Sequence, residues 1–185
     1  SEMCIRDRSK PKVMGILNLT PDSFYDGGVH NEINNIENHV NMMVEDGMDI
    51  LDIGGYSSKP GAKNISVDEE MTRVIPILKH IRKIFPDLII SIDTFRSKIA
   101  SMSLDEGADM INDISGGTLD KNMMSVVSKN NCPYILMHMQ VNPQNMQNDP
   151  SYENVTLEII QYLAQRIKIA HDNNIVDIIV DPGFG

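Results

Sequence analysis

The stretch Leu88-Ile89-Ile90-Ser91-Ile92-Asp93-Thr94 decides the fold: a run of aliphatic residues too short for a helix ends on a side chain that can ionise. The same pattern recurs in both directions. Upstream, Val13 to Leu17 ends at Asn18, and Ile50-Leu51 ends at Asp52. Downstream, Met110-Ile111 ends at Asn112-Asp113, Tyr134 to Met137 at His138, and Ile178 to Val180 at Asp181. The runs return about every 33 residues, the length of one strand and one helix in a βα repeat. Parallel strands joined by helices present their last side chains at one common end, so six repeats predict these polar ends around one mouth.

Between the runs the apolar period changes to that of a helix. Ile36, Val40, Met43 and Val44 share one face, and that segment stops at Gly47. Ser66 and Glu69 have the spacing of a capping box ahead of Met71, Val74, Ile75, Leu78 and Ile81, with Pro76 expected to kink that helix or mark an irregular turn. Leu157, Ile160, Leu163, Ala164, Ile167 and Ala170 form the longest predicted stripe. Met42, Met43, Met123 and Met124 read as gap-filling core. Helix-to-strand links such as Glu106-Gly107-Ala108 are short, whereas Thr20 to Asn31, Gly54 to Ile65 and Met139 to Pro150 are long and leave the polar strand ends. Long loops on a rigid scaffold are where binding residues concentrate.

Eight units at this spacing need about 265 residues, and the sequence has 185. The expected architecture is therefore α/β, a (β/α)8 TIM barrel truncated after the sixth strand, with an open doubly wound sheet as the alternative. Residues 1–8 carry no period, so 1–10 are set aside as a leader and 11–185 are taken as a partial barrel domain. A formal charge of −10 argues against nucleic acid and anionic membranes as partners. No apolar run approaches the length of a membrane span. Cys4 and Cys132 are too few for a disulfide framework or zinc site, which suits a reducing, cytoplasmic compartment. Cys132 reads as an inert core thiol.

The loop Gly54-Gly55-Tyr56-Ser57-Ser58-Lys59-Pro60-Gly61-Ala62 offers backbone N–H groups, hydroxyls and a cation, a set able to hold an anion. His138, alone at a strand end, reads as a wall residue ahead of a general base. His30, His39, His80 and His171 have no second ligand at metal spacing.

Six segments together carry a specific resemblance. They are Gly15-Ile16-Leu17-Asn18-Leu19-Thr20-Pro21-Asp22-Ser23-Phe24, Asp52-Ile53-Gly54-Gly55-Tyr56-Ser57-Ser58-Lys59-Pro60-Gly61 and Ser91-Ile92-Asp93-Thr94. The others are Asn112-Asp113-Ile114-Ser115-Gly116, Leu136-Met137-His138-Met139-Gln140 and Asp181-Pro182-Gly183-Phe184-Gly185. In this order they resemble the dihydropteroate synthase family, from about Lys12 onward. The resemblance implies a barrel that joins a pterin CH₂-pyrophosphate to p-aminobenzoate, with Mg²⁺ as cofactor, and that is a target of sulfonamides. It implies pterin contacts at Asp93, Asn112, Met137 and Asp181, and anion contacts at Asn18, Ser58 and Lys59, with Asn18 also a metal ligand. Phe24, Asp26 and Pro60 would enclose the p-aminobenzoate. It also implies a homodimer when complete.

Tyr56 stands where many members have Glu, and Lys59 where many have Arg, which keeps charge but loses the bidentate fork. The family's strand-seven Lys and strand-eight Arg-x-His are not among these 185 residues, so the piece by itself is expected to be inactive. Two alternatives stay open: a pterin-binding methyltransferase domain of the corrinoid type, which would need no pyrophosphate site, and a non-catalytic pterin binder. Asp52 reads equally as a structural hydrogen bond or a ligand contact and is left outside the predicted site.

Overall fold

The computed structural model describes residues 10–19, 29–57, 64–139 and 152–184. Six strands alternate with five helices among them: β1 Met14–Asn18, α1 Val29–Glu45, β2 Ile50–Gly54, α2 Val67–Ile84, β3 Ile89–Asp93, α3 Ser97–Asp105, β4 Met110–Asp113, α4 Met123–Asn130, β5 Tyr134–Met137, α5 Val155–Asp172 and β6 Ile178–Asp181. All six predicted strands are present. They form one parallel sheet in the order β1-β2-β3-β4-β5-β6.

That order separates the two architectures the periodicity left open. A doubly wound sheet reverses its strand order at a switch point and carries helices on both faces. Here each strand pairs with the next in sequence, and the helices lie on one side. Alternation along the strands shows which side. Leu17, Leu51, Ile53, Ile90, Ile92, Ile111 and Leu136 point outward into a core shared with Ile36, Val40, Val74, Leu78, Ile99, Val127 and Leu163 of the helices. The intervening residues point the other way, where Ile50, Met110 and Ile135 make a small inner cluster with Met14, Ile89 and Ile179 against it. An outer helical layer over a sequentially ordered parallel sheet is the arc of a (β/α) barrel.

Local signals account for several helix ends. Ser66 caps α2, its hydroxyl accepting from Glu69 N at 3.0 Å, while the Glu69 carboxylate pairs with Arg73. Asn154 caps α5 by accepting from Leu157 N at 3.0 Å. Gly47, at φ 95°, turns the chain after α1.

Four expectations are corrected. The helix α2 runs unbroken through Pro76, which faces solvent. α1 already includes Val29 to Asn31, so the first long link is shorter than its turn residues suggested. Met42 and Val44 are exposed, at 61% and 37%, whereas Met43 packs on the core and Met123 and Met124 are buried. On α5, Leu163 and Ala170 are buried as predicted, but Leu157 and Ile160 are exposed, and Ile159 and Tyr162 pack on the core in their place. Two apolar stripes run along this helix, and contact with β5 selects between them.

Candidate active site at the strand C-termini

Apart from Gly54 and Met137, the inward-facing residues at the C-terminal strand ends are polar, and the register places them side by side. Asn18 is paired with Gly54, Gly54 with Asp93, and Asp93 with Asn112. One row therefore runs Asn18, Gly54, Asp93, Asn112 across four strands. Met137 and Asp181 form the matching pair at the ends of β5 and β6. The predicted strand-end residues thus share one end of the sheet. Phe24, Asp26, Ser58, Lys59 and Pro60 lie outside the described residues, as does the leader 1–9.

Gly54 has no side chain between its two neighbours, and this matters sterically. A Cβ built there would stand 3.3 Å from both Asn18 Oδ1 and Asp93 Oδ2, tighter than ordinary contact. The bare backbone leaves room for an amide oxygen and a carboxylate to lie over it from either side.

Asp52 belongs to this cluster. Asn112 Nδ2 donates to Asp52 Oδ2 at 2.9 Å, which leaves the Asn112 carbonyl as an acceptor. Asp52 is 4% exposed. Burial raises its pKa, opposed by the nearby Ser91 hydroxyl and the Asn112 amide. Ser91 Oγ favours the charged form from its place on the next strand, yet Asp52 Oδ1 lies outside hydrogen-bonding geometry with any donor. Alternation was the signal available in sequence: Ile50, Asp52 and Gly54 must share a face, so Asp52 sits one layer below the mouth.

Asp93 is the most perturbed acid. Burial holds its carboxyl well above the ordinary range, and the charges of Asp52, Asp113 and Glu70 push in the same direction. Asp181 Oδ1 accepts from Gly183 N at 2.7 Å, so this aspartate also starts the turn that its Asp-Pro-Gly sequence suggests.

Behind the mouth, Asp113 points outward and is fully buried. Its Oδ1 accepts from Ser115 N at 2.8 Å and from Ser115 Oγ at 2.7 Å. Its Oδ2 accepts from Gly117 N at 2.9 Å and from the Tyr134 hydroxyl at 2.7 Å. Burial nonetheless raises its pKa. On α5, Tyr162 OH donates to Ser115 O at 3.2 Å and Arg166 Nε to Gly116 O at 2.8 Å. His138 is 8% exposed and stacks edge-on against Tyr162, with ring centroids 4.9 Å apart. Burial lowers its pKa, opposed by a backbone hydrogen bond at Pro182, and so favours the neutral ring. Cys132 is buried and its thiol is pushed up to about 12, in keeping with an inert core thiol.

The mouth therefore offers acceptors: two aspartates and an amide oxygen, backed by a third acid. Such a set complements a flat ligand whose edge carries several N–H donors. Among the described residues no three His, Cys, Asp or Glu side chains are grouped to hold a metal, and no helix is long and apolar enough to cross a membrane. Fold and site together define a (β/α)-barrel domain with a ligand mouth at the C-terminal strand ends.

The sequence pattern of the pterin binding enzyme family matches residues 14–185, and the chain belongs to that family. It is 43% identical over 175 residues to a dihydropteroate synthase of Synechocystis, covering 94% of this chain and 60% of that protein. The Yersinia pestis dihydropteroate synthase, solved with a sulfonamide drug complex, superposes with a TM-score of 0.86 at 38% identity, covering 96% of this chain and 64% of that one. The Burkholderia cenocepacia dihydropteroate synthase complexed with 7,8-dihydropteroate gives 0.81 at 36% identity, over 96% and 60% of the two chains. The chain spans about 60% of the length of these relatives.

Proposed function

We propose that the protein to which this chain belongs is a dihydropteroate synthase, joining a dihydropterin CH₂-diphosphate to p-aminobenzoate. The observation that carries this reading is the row Asn18, Gly54, Asp93, Asn112, because it puts an exposed amide beside a strongly perturbed acid across one bare glycine. Asp93, the Asn112 carbonyl and Asp181 accept from the ring N–H groups and the exocyclic amine, with Met137 against the ring. Each hydrogen bond to an ionised partner contributes about 1.5–3 kcal/mol.

In the reaction the p-aminobenzoate nitrogen bonds to the ring-bound methylene carbon, the carbon–oxygen bond to diphosphate breaks, and the amine gives up one proton to the released pyrophosphate or solvent. No covalent enzyme intermediate is required. The protein must orient the two reactants and stabilise negative charge on the departing group. Asn18 contributes one oxygen at the diphosphate side, and Ser58 and Lys59 add a hydroxyl and a cation. Asn18 also fits Mg²⁺, which takes most of its ligands from phosphate and water and needs few from protein. Bound there, the ion would neutralise the diphosphate. Phe24, Asp26 and Pro60 are assigned to the p-aminobenzoate side. A cytoplasmic homodimer completes the reading.

The test is turnover of pterin diphosphate and p-aminobenzoate by the natural full-length protein. Activity should vanish on chelation of Mg²⁺ and return on its addition, and Asn18→Ala should lower pyrophosphate affinity about tenfold while leaving binding of pterin alone near its original value. Turnover that ignores Mg²⁺, or methyl transfer in its place, would overturn the proposal.

A further inference from the structure

Beneath the mouth lies an ion pair that the reaction does not use directly. Glu70, on α2, is fully buried. Its Oε1 accepts from Thr94 Oγ1 at 2.7 Å and its Oε2 from Arg96 Nη1 at 2.6 Å. Thr94 follows Asp93, is 1% exposed, and donates its backbone N–H to the Asn112 backbone oxygen at 3.0 Å. A continuous chain of bonds thus runs from Arg96 through Glu70 and Thr94 to the backbones of both Asp93 and Asn112. The guanidinium is held in turn: Nη2 donates to Ile65 O at 2.6 Å and to Asn64 Oδ1 at 3.4 Å, and its carbon lies 5.3 Å from the ring centres of Tyr56 and Phe95. Those two rings meet edge to face at 5.0 Å.

We propose that Arg96, acting through Glu70 and Thr94, is a positioning residue that sets the Asp93 and Asn112 strand ends against the heterocycle. The inference rests on the proposed pterin reading of those two residues. Stability alone does not call for such a pair, since a buried ion pair is commonly replaced by well-packed apolar side chains at no loss. What the pair provides is geometry, because every polar atom must meet its partner at a set distance and angle. Arginine meets every contact of the seat. A planar fork that donates in two directions while stacking on aromatic faces is beyond a lysine ammonium. This also gives Tyr56 a role: at a position where many members of the family carry an acid, it is one wall of the guanidinium seat.

The experiment is titration of the natural full-length protein with pterin itself, 2-amino-4-oxopteridine. Thr94→Val cuts the chain near its end and Arg96→Gln at its start, and each should weaken binding about tenfold, a loss suited to a sub-ångström misplacement. The double variant should bind no more weakly than the poorer single, because both cuts interrupt the same chain. Thr94→Ser and Arg96→Lys should recover most and part of the affinity, respectively. Singles that bind within about twofold of the parent, or a double variant showing the product of the two losses, would overturn the inference. Should Arg96→Gln fail to fold because it strands Glu70, the Thr94→Val and Thr94→Ser pair still decides: loss with rescue supports the chain, and parent-like binding by Thr94→Val refutes it. Asp93→Asn is the control, since parent-like pterin binding by that variant defeats the proposed function and leaves the bond chain unaffected.

Discussion

Asp93→Asn should weaken ligand binding and strengthen the fold. The side chain sits half-buried among Asp52, Asp113 and Glu70, and all four acids have pKa values raised above the ordinary range. For Asp93 the folded state holds its proton more tightly than the unfolded chain does, so folding is penalised at neutral pH. The penalty fades as pH falls through the raised folded value, and it is gone below the unfolded value near 3.8. Asparagine keeps the shape and removes the charge. In the natural full-length protein the variant should therefore melt higher at pH 7, by about 2–4 °C for each kcal/mol recovered. That advantage should shrink on acidification. Pterin affinity should meanwhile fall by the worth of a charged hydrogen bond, about 1.5–3 kcal/mol, or between about 10-fold and 150-fold. Thermal melts at several pH values, with pterin titrations beside them, read both effects. A lower melting temperature at pH 7, or a stability difference that grows on acidification, would refute the electrostatic reasoning; unchanged affinity would refute the assignment of Asp93.

Tyr134→Phe removes one of four donors from the buried Asp113 carboxylate and should cost about 1.5–3 kcal/mol in denaturant unfolding, with catalysis per folded molecule little changed. Gly183 has φ 74°, and a Cβ there would stand 2.4 Å from the His138 carbonyl oxygen. Gly183→Ala should thus lose at least about 1–3 kcal/mol of stability and displace Asp181, a loss visible in melting and pterin titration alike. Asp181→Asn should abolish tight pterin binding while leaving the circular dichroism spectrum of the folded protein intact. Unchanged affinity would remove this carboxylate from the site.

The six strands were legible because each is a short, mainly apolar run with a polar residue at or near its end, although β2 continues past Asp52 to Gly54 and β3 carries Ser91 inside it. Their order did not follow from periodicity alone, which barrel and doubly wound sheets both satisfy; the repeat length and the family resemblance favoured the barrel, and strand adjacency bears that out. Asn18, Asp93, Asn112 and Asp181 were readable as strand-end residues, since position in the run determines which end of the sheet a side chain reaches. Asp52 was harder, because its bond to Asn112 joins residues 60 apart in sequence. The Glu70 and Arg96 pair escaped altogether: Glu70 lies in an acidic first helical turn, where a solvated carboxylate is the normal expectation, and its partner is 26 residues away. The α5 stripe was misplaced at Leu157 and Ile160 for a related reason, as helical periodicity offers two overlapping faces and leaves the choice to a neighbour.

The crowd of acids under the mouth has a calorimetric consequence. When a ring bearing several N–H groups settles onto Asp93, its carboxylate form becomes favoured, so at any pH where the free site still holds its proton association expels protons to the medium. The apparent heat of binding will then differ between buffers of unlike ionisation enthalpy, and the slope of that difference counts the protons exchanged.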